Sequence, residues 1–194
     1  GLDEKIYKPN LVLHRISSAK NNLISATRYA NDVTLQNEDR QSAKPRIGEI
    51  YLTYEKRCFQ ASAMDFDDLL FKTNILFKDF PDVLYKYQHR FKYILVDEYQ
   101  DTNFSQYIIV KKLAAVFQNI CVVGDDAQSI YAFRGANIEN ILNFKNDYPD
   151  LKTFKLEENY RSTKTIVGAA NNIIKNNKHQ LEKNVFTSNE VGNK

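Results

Sequence analysis

What is scarce in this sequence narrows it first. Cysteine occurs twice, at Cys58 and Cys121, with no CxxC pair and no His pair at zinc-ligand spacing, which excludes a disulfide framework and a structural zinc site. Both are expected to be reduced, buried thiols. Charge of either sign is barely in excess: 27 Lys and Arg against 24 Asp and Glu leave +3, too little to imply nucleic acid from composition alone. Long apolar runs are missing, none approaching the ~20 residues that cross a bilayer, and no basic segment followed by a signal-type apolar core opens the chain. A cytoplasmic location without a membrane partner is the expectation. Gly1 stands where an initiator Met would be, which predicts an excised internal piece.

What is present suits a folded protein: 43% of the 194 residues are hydrophobic, enough for one good domain or parts of two. There is no internal repeat and no low-complexity tract. The first sixty residues hold no convincing strand; Leu11, Ile16, Leu23 and Ile24 recur at helical spacing, Pro9 fits a first helical turn, and 47–59 continues as an amphipathic helix. The polar stretch 36–44, followed by Pro45, reads as a loop. An all-helical subdomain is expected here.

After Met64 the texture changes. Asp65 is placed to cap a helix whose first turn carries Asp67 and Asp68, acids that suit the positive end of its dipole. Two apolar runs follow, Tyr93-Ile94-Leu95-Val96 and Asn119-Ile120-Cys121-Val122-Val123, separated by a helical segment over 104–117. Strand, helix, strand with fully apolar strands predicts a parallel sheet buried on both faces. A third strand is predicted over 151–156, after a helix over 137–147 that Pro149 helps to end, and a further helix runs to about Lys175 with Ser162 or Thr163 as its cap. Ligands of such sheets gather beyond the carboxyl ends of the strands, where polar residues cluster: Asp97-Glu98, Gly124-Asp125-Asp126 and Glu157-Glu158-Asn159.

Each cluster has an ordinary reading and a chemical one. An apolar strand ending in Asp97-Glu98 is a common acidic turn, but one carboxylate can hold a Mg2+ shell while the next orients an attacking water. The continuation Gln100-Asp101-Thr102 narrows the choice. Gly124 permits a tight exit from the second strand and leads to a neutral amide, Gln128. Tyr131, Phe133 and Arg134 then follow; they are either core aromatics with a neighbouring cation or a surface on which bases stack, at ~1–3 kcal/mol per base. Arg161, in Asn159-Tyr160-Arg161-Ser162-Thr163, is a surface residue beside a helix cap or a cation within reach of a phosphoryl group.

Together these segments resemble the superfamily 1A DNA helicases of the UvrD, Rep and PcrA kind. Asp97 to Thr102 looks like motif II of that family, Gly124 to Ala136 like motif III, Leu156 to Ser162 like motif IV, Met64 to Leu70 like the segment before motif II, and Ile16 to Asn21 like part of the helical 1B insertion. The resemblance implies an α/β fold: a partial RecA-like P-loop NTPase parallel sheet flanked by helices, with an N-terminal all-helical subdomain. Residues 1–62 would be part of 1B, 63–155 the second part of domain 1A, and 156–194 the beginning of 2A.

The same resemblance implies ATP and Mg2+ as cofactors and single-stranded DNA, or duplex with a 3′ single-stranded tail, as partner. Asp97 would be the Mg2+ ligand, Glu98 the water-activating base, Gln128 the sensor linking γ-phosphate to DNA, Arg161 a γ-phosphate contact and Tyr160 the adenine stack. Tyr131, Phe133 and Arg134 would touch single-stranded DNA. Ala127 and Phe133 stand where many relatives carry Asp and Trp; Phe133 keeps a stacking face of smaller area.

One part is missing. With six glycines in all, no Gly-x-x-x-x-Gly-Lys-Ser/Thr loop occurs in these 194 residues, so the triphosphate has no backbone cradle or Lys here. The expectation is a piece of an ATP-driven 3′ to 5′ helicase that is inactive by itself and self-associates through an incomplete sheet. The alternatives are a non-catalytic DNA-binding or interaction module derived from a helicase, and part of a helicase-nuclease.

Overall fold

A computed structural model describes residues 2–132, 135–177, 180–181 and 183–192. Four helices come first: α1 (Pro9–Asn21), α2 (Ala26–Asn31), α3 (Val33–Gln41) and α4 (Ile47–Gln60). Pro9 opens α1 as expected, since its missing N–H falls where no helical acceptor exists. Val12, Ile16 and Ala19 of α1, Ala26 and Tyr29 of α2, and Ile47 and Tyr51 of α4 form one buried apolar cluster. Tyr29 and Tyr51 meet edge to face, ring centroids 6.0 Å apart.

The loop expected over 36–44 is instead mostly helix α3. Its start is fixed by the Asp32 carboxylate, which accepts from the amides of Thr34 (2.9 Å) and Leu35 (3.2 Å). Its polar surface concealed a buried anchor, Asp39, whose carboxylate accepts from the Tyr29 hydroxyl (3.0 Å) and from Arg15 (2.8 Å). Only the short turn after Gln41, with Ala43 at φ 58°, is loop.

Helix α5 (Phe66–Asp79) begins with a capping box: the Asp65 carboxylate accepts from the Asp68 amide at 2.7 Å, and the Asp68 carboxylate from the Asp65 amide at 3.3 Å. It packs on α1 and on α7 (Phe104–Ala114). Lys20 of α1 is fully buried at this seam, donating to Asp65 at 2.7 Å with Asp68 at 3.1 Å. After α6 (Pro81–Arg90) come β1 (Ile94–Val96) and β2 (Ile120–Val122), parallel, in the register Ile94 with Ile120, Leu95 with Cys121, and Val96 with Val122.

The sheet is parallel and flanked by helices, an α/β arrangement, but it is not buried on both faces. Ile94, Val96, Ile120 and Val122 are half-buried, whereas Leu95 is 77% exposed and Cys121 lies exposed beside it. An apolar run reports that a strand suits a sheet, not which face is covered. Cys121 is therefore an accessible free thiol rather than a buried one, and Cys58 is half-buried.

Three further expectations change. The helix over 137–147 is broken at Asn143 into α8 (Glu139–Leu142) and α9 (Phe144–Asp147). Residues 151–156 form no strand: Phe154 and Leu156 are 82% and 86% exposed, and no described residue pairs with them. β-propensity without a neighbouring strand leaves the backbone without a ladder. Among the described residues the pairing nearby is a parallel bridge from Glu158 to Phe186. Helix α10 (Lys164–Ile174) starts at Thr163, whose side chain makes no cap; the amides of Lys164 and Thr165 donate instead to the carbonyls of Glu190 (3.1 Å) and Val191 (3.2 Å).

Candidate functional site

The carboxyl ends of β1 and β2 lie side by side because the ladder continues past both strands. The Val123 amide donates to the Val96 carbonyl at 2.8 Å, and the Tyr99 amide to the Val123 carbonyl at 2.9 Å. Between them the chain must reverse out of the sheet at Glu98, which adopts a left-handed conformation, φ 50° and ψ 42°. That conformation is disfavoured for a side chain with a Cβ and persists where surrounding bonds over-determine it. Here the Asp101 amide closes onto the Glu98 carbonyl at 2.9 Å, and Tyr99 is buried against Phe144 at 5.4 Å between centroids. The strain aims two adjacent carboxylates, Asp97 and Glu98, into solvent at the strand end.

Gln100 joins the two strand ends. It is 1% exposed; its amide nitrogen donates to Glu98 Oε2 at 2.8 Å, and its carbonyl oxygen accepts from the Asp125 amide at 3.0 Å. A Cβ at Gly124 would lie 2.6 Å from that carbonyl oxygen and 2.8 Å from Ile141. The glycine leaves room for the Gln100 side chain to cross, rather than supplying the left-handed backbone that a tight exit can need. Asp125 in turn accepts from the Gln128 side-chain amide at 2.7 Å and from the Ala127 amide at 3.0 Å. A continuous relay thus runs from Glu98 through Gln100 and Asp125 to Gln128.

Burial pushes the Asp125 carboxyl up, but hydrogen bonds from Lys183 and Gln128 outweigh this and hold it below the usual carboxylate range. Asp126, buried, accepts from Lys183 at 2.8 Å and from the Leu181 amide at 2.7 Å.

Of the other expected site residues, Tyr131 is exposed at the surface beyond Gln128, and Phe133 and Arg134 lie outside the described residues. Tyr160 is exposed, its hydroxyl donating to Glu158 at 2.9 Å. Arg161 is exposed, its amide held by Asn159 at 3.0 Å. Among the described residues no hydrogen bond or ion pair joins Tyr160 or Arg161 to Asp97, Glu98 or Gln128.

The family model for the UvrD/REP helicase N-terminal domain matches residues 1–149. The chain belongs to the UvrD/REP helicase family. The model for the UvrD-like helicase C-terminal domain of that family matches residues 154–194. Among curated relatives, the chain is 48% identical over 192 residues to the ATP-dependent DNA helicase PcrA of Bacillus subtilis, a match covering 99% of this chain and 25% of the relative. It is 46% identical over 194 residues to PcrA of Staphylococcus aureus and 45% over 197 to that of Staphylococcus epidermidis, covering all of this chain and 26% of each relative. The chain thus spans about a quarter of the length of these relatives.

At the end of β1, Asp97 and Glu98 present adjacent exposed carboxylates. Asp97 offers hard oxygen donors to Mg2+, which is held through one or two carboxylates plus substrate phosphates. Among the described residues no cluster of three or more metal-ligating side chains forms. No described helix is long and apolar enough to cross a membrane. Gln100 and Lys183 are the site residues that reading the sequence left without a role. Gln100 stood inside the quoted motif, but its partners are set only by the fold; Lys183 is 57 residues from Asp126 and carried no local signal.

Proposed function

We propose that this chain is the part of an ATP-dependent DNA helicase that carries the metal-holding and water-activating carboxylates, moving 3′ to 5′ on single-stranded DNA and opening duplex from a 3′ single-stranded tail in the cytoplasm. The observation supporting it most is the Glu98–Gln100–Asp125–Gln128 relay, which links the hydrolytic carboxylate to the amide of the next strand end. In this reading residues 1–62 belong to subdomain 1B, 63–155 to 1A and 156–194 to 2A.

Asp97 would hold Mg2+, which when bound neutralises charge on the transferring phosphoryl group. Gln100 fixes Glu98 Oε2, leaving Oε1 to accept a proton from the attacking water. Gln128 would sense the γ-phosphate, Arg161 would contact it and Tyr160 would stack on adenine. Tyr131, Phe133 and Arg134 would meet single-stranded DNA. The 194-residue chain, which carries no phosphate loop, should hydrolyse no ATP alone.

In the full-length protein, Glu98→Gln should abolish DNA-stimulated hydrolysis and leave nucleotide binding largely intact. Unchanged turnover would refute the role of Glu98. DNA-stimulated turnover by the 194-residue chain, surviving contaminant controls, would refute its inactivity and favour a non-family arrangement of the site.

A further inference from the structure

We propose that Lys183 is a positioning residue that clasps the C-terminal segment onto the strand-end loop and thereby sets where the Gln128 amide points. Its ammonium sits between Asp125 and Asp126, donating to both, at 2.8 Å for Asp126. Lys183 lies in the stretch matched by the C-terminal family domain, and both carboxylates lie in the N-terminal one.

Asp126 decides that this is more than a surface ion pair. It is 4% exposed, and both its carboxylate oxygens are satisfied from one segment, by the Lys183 ammonium and by the Leu181 amide at 2.7 Å. Exposed pairs contribute little, whereas a buried carboxylate stripped of its partners is strongly disfavoured. Loss of the Lys183 and Leu181 contacts would therefore leave buried Asp126 without the cation and the amide that hold it among the described residues. Burial opposes the Lys183 charge, yet its bonds to Asp125 and Asp126 more than offset it and raise its pKa.

The clasp reaches Gln128 through Asp125. That carboxylate divides itself between Lys183 and the Gln128 amide, while its own backbone amide is fixed by Gln100. With Lys183 in place, Asp125 holds a fixed orientation and Gln128 is tethered to it. Without Lys183, that oxygen of Asp125 keeps only the Ala127 amide, and the more loosely held carboxylate can turn about it and carry the Gln128 amide along. Approach of the C-terminal segment and orientation of Gln128 are two readings of one contact.

The test starts in the 194-residue chain, where it is independent of hydrolysis. Lys183→Met should raise amide hydrogen exchange at Leu181 by about tenfold or more and shift the Gln128 side-chain amide resonances, leaving exchange in α1 and α4 unchanged. Lys183→Arg should restore both. Leu181 exchange and Gln128 resonances at wild-type values in Lys183→Met would overturn the clasp; movement of Leu181 alone would overturn the positioning of Gln128. Should Lys183→Met fail to fold, the wild-type chain decides, through a nuclear Overhauser contact between the Lys183 and Asp126 side chains whose absence would overturn the proposal.

A last arm rests on the helicase reading. In the full-length protein Lys183→Met should lower kcat for DNA-stimulated hydrolysis about tenfold with KM within about twofold, and Lys183→Arg should recover it. Wild-type kcat in Lys183→Met would overturn the link to turnover, whereas no hydrolysis by the wild-type protein would sink the helicase reading and leave the exchange result standing.

Discussion

The helices of residues 9–60 and the strand-end region after residue 93 follow plans that weight apolar and polar burial differently, though the first also buries Lys20 and Asp39 and the second Tyr99, Ala114 and Phe144. The first closes over Val12, Ile16, Ala19, Ala26, Tyr29, Ile47 and Tyr51, an apolar cluster that contains no candidate site residue. The second buries Gln100, Thr102, Asn103, Ser105, Asp126 and Asn140. Asn140 donates to the Thr102 carbonyl at 3.0 Å, and Asn74 of α5 to the Ser105 hydroxyl at 2.9 Å. Apolar packing accepts many arrangements of similar energy, while each buried hydrogen bond narrows the choice, even though Asn74 Oδ1 and Asp101 Oδ1 have no partner among the described residues. The helical part therefore supplies stability, and the strand-end part spends its interior on geometry. Substitutions in the first should unfold without altering the site; substitutions in the second should distort the site at a smaller cost in stability.

The largest effect is expected where the two plans meet. Lys20→Ala would leave Asp65 and Asp68 facing each other without their cation, and should cost ~3–5 kcal/mol in chemical denaturation. A loss below ~1 kcal/mol would show that the seam behaves like a surface pair. The pH dependence has a defined sense. Burial opposes the Lys20 charge, but bonds to Asp65 and Asp68 raise its pKa above the ordinary lysine value. Burial likewise opposes the Asp65 charge, and Lys20, the Asp68 amide and Tyr54 pull its pKa below the ordinary carboxylate value. The seam's contribution is thus fully present between about pH 4 and pH 10. It is lost as pH falls through the depressed Asp65 pKa, and as pH rises through the raised Lys20 pKa. In Lys20→Ala both edges of that profile should flatten.

An intermediate effect is expected within the polar plan. Gly124→Ala forces a Cβ against Gln100 and Ile141, so the relay must shift or break at ~1–3 kcal/mol. Denaturation followed at the tyrosines of 99–148 should show the loss, while exchange protection in α1 and α4 stays as in the wild type. Uniform loss of protection would mean that the two regions unfold as one unit and that the contrast between them is not energetic.

Part of the fold is legible in the sequence itself. Pro9, the Asp65 cap and the two apolar runs place α1, α5, β1 and β2 because each rests on local chemistry, and Asp97 and Glu98 can be placed just past a strand because such sheets collect polar groups there. Other features depend on partners far away in sequence. Helix α3 was hidden because only Leu35 marks its apolar side and its anchor, Asp39, is buried by a tyrosine and an arginine outside it. Residues 151–156 carry strand-forming side chains, yet pairing is a property of two segments. Gln100 and Lys183 are ordinary polar residues until the fold brings Glu98, Asp125 and Asp126 to them.

The smallest effect on stability falls on the open face of the sheet. Leu95 and Cys121 are register partners on that face, with Val123 and Tyr93 also exposed near them. Such a face beside an unpaired strand edge favours contact between copies, so the 194-residue chain should sediment as species larger than a monomer as its concentration rises. Leu95→Lys puts a charge where the side chain already meets solvent. It should change folding stability by no more than ~0.5 kcal/mol and shift the sedimentation boundary toward the monomer. A wild-type chain that stays monomeric throughout would show that this face needs no cover. If Leu95→Lys instead unfolds the chain, Leu95 is packed and the sheet is closed on both sides, as the apolar strands first suggested.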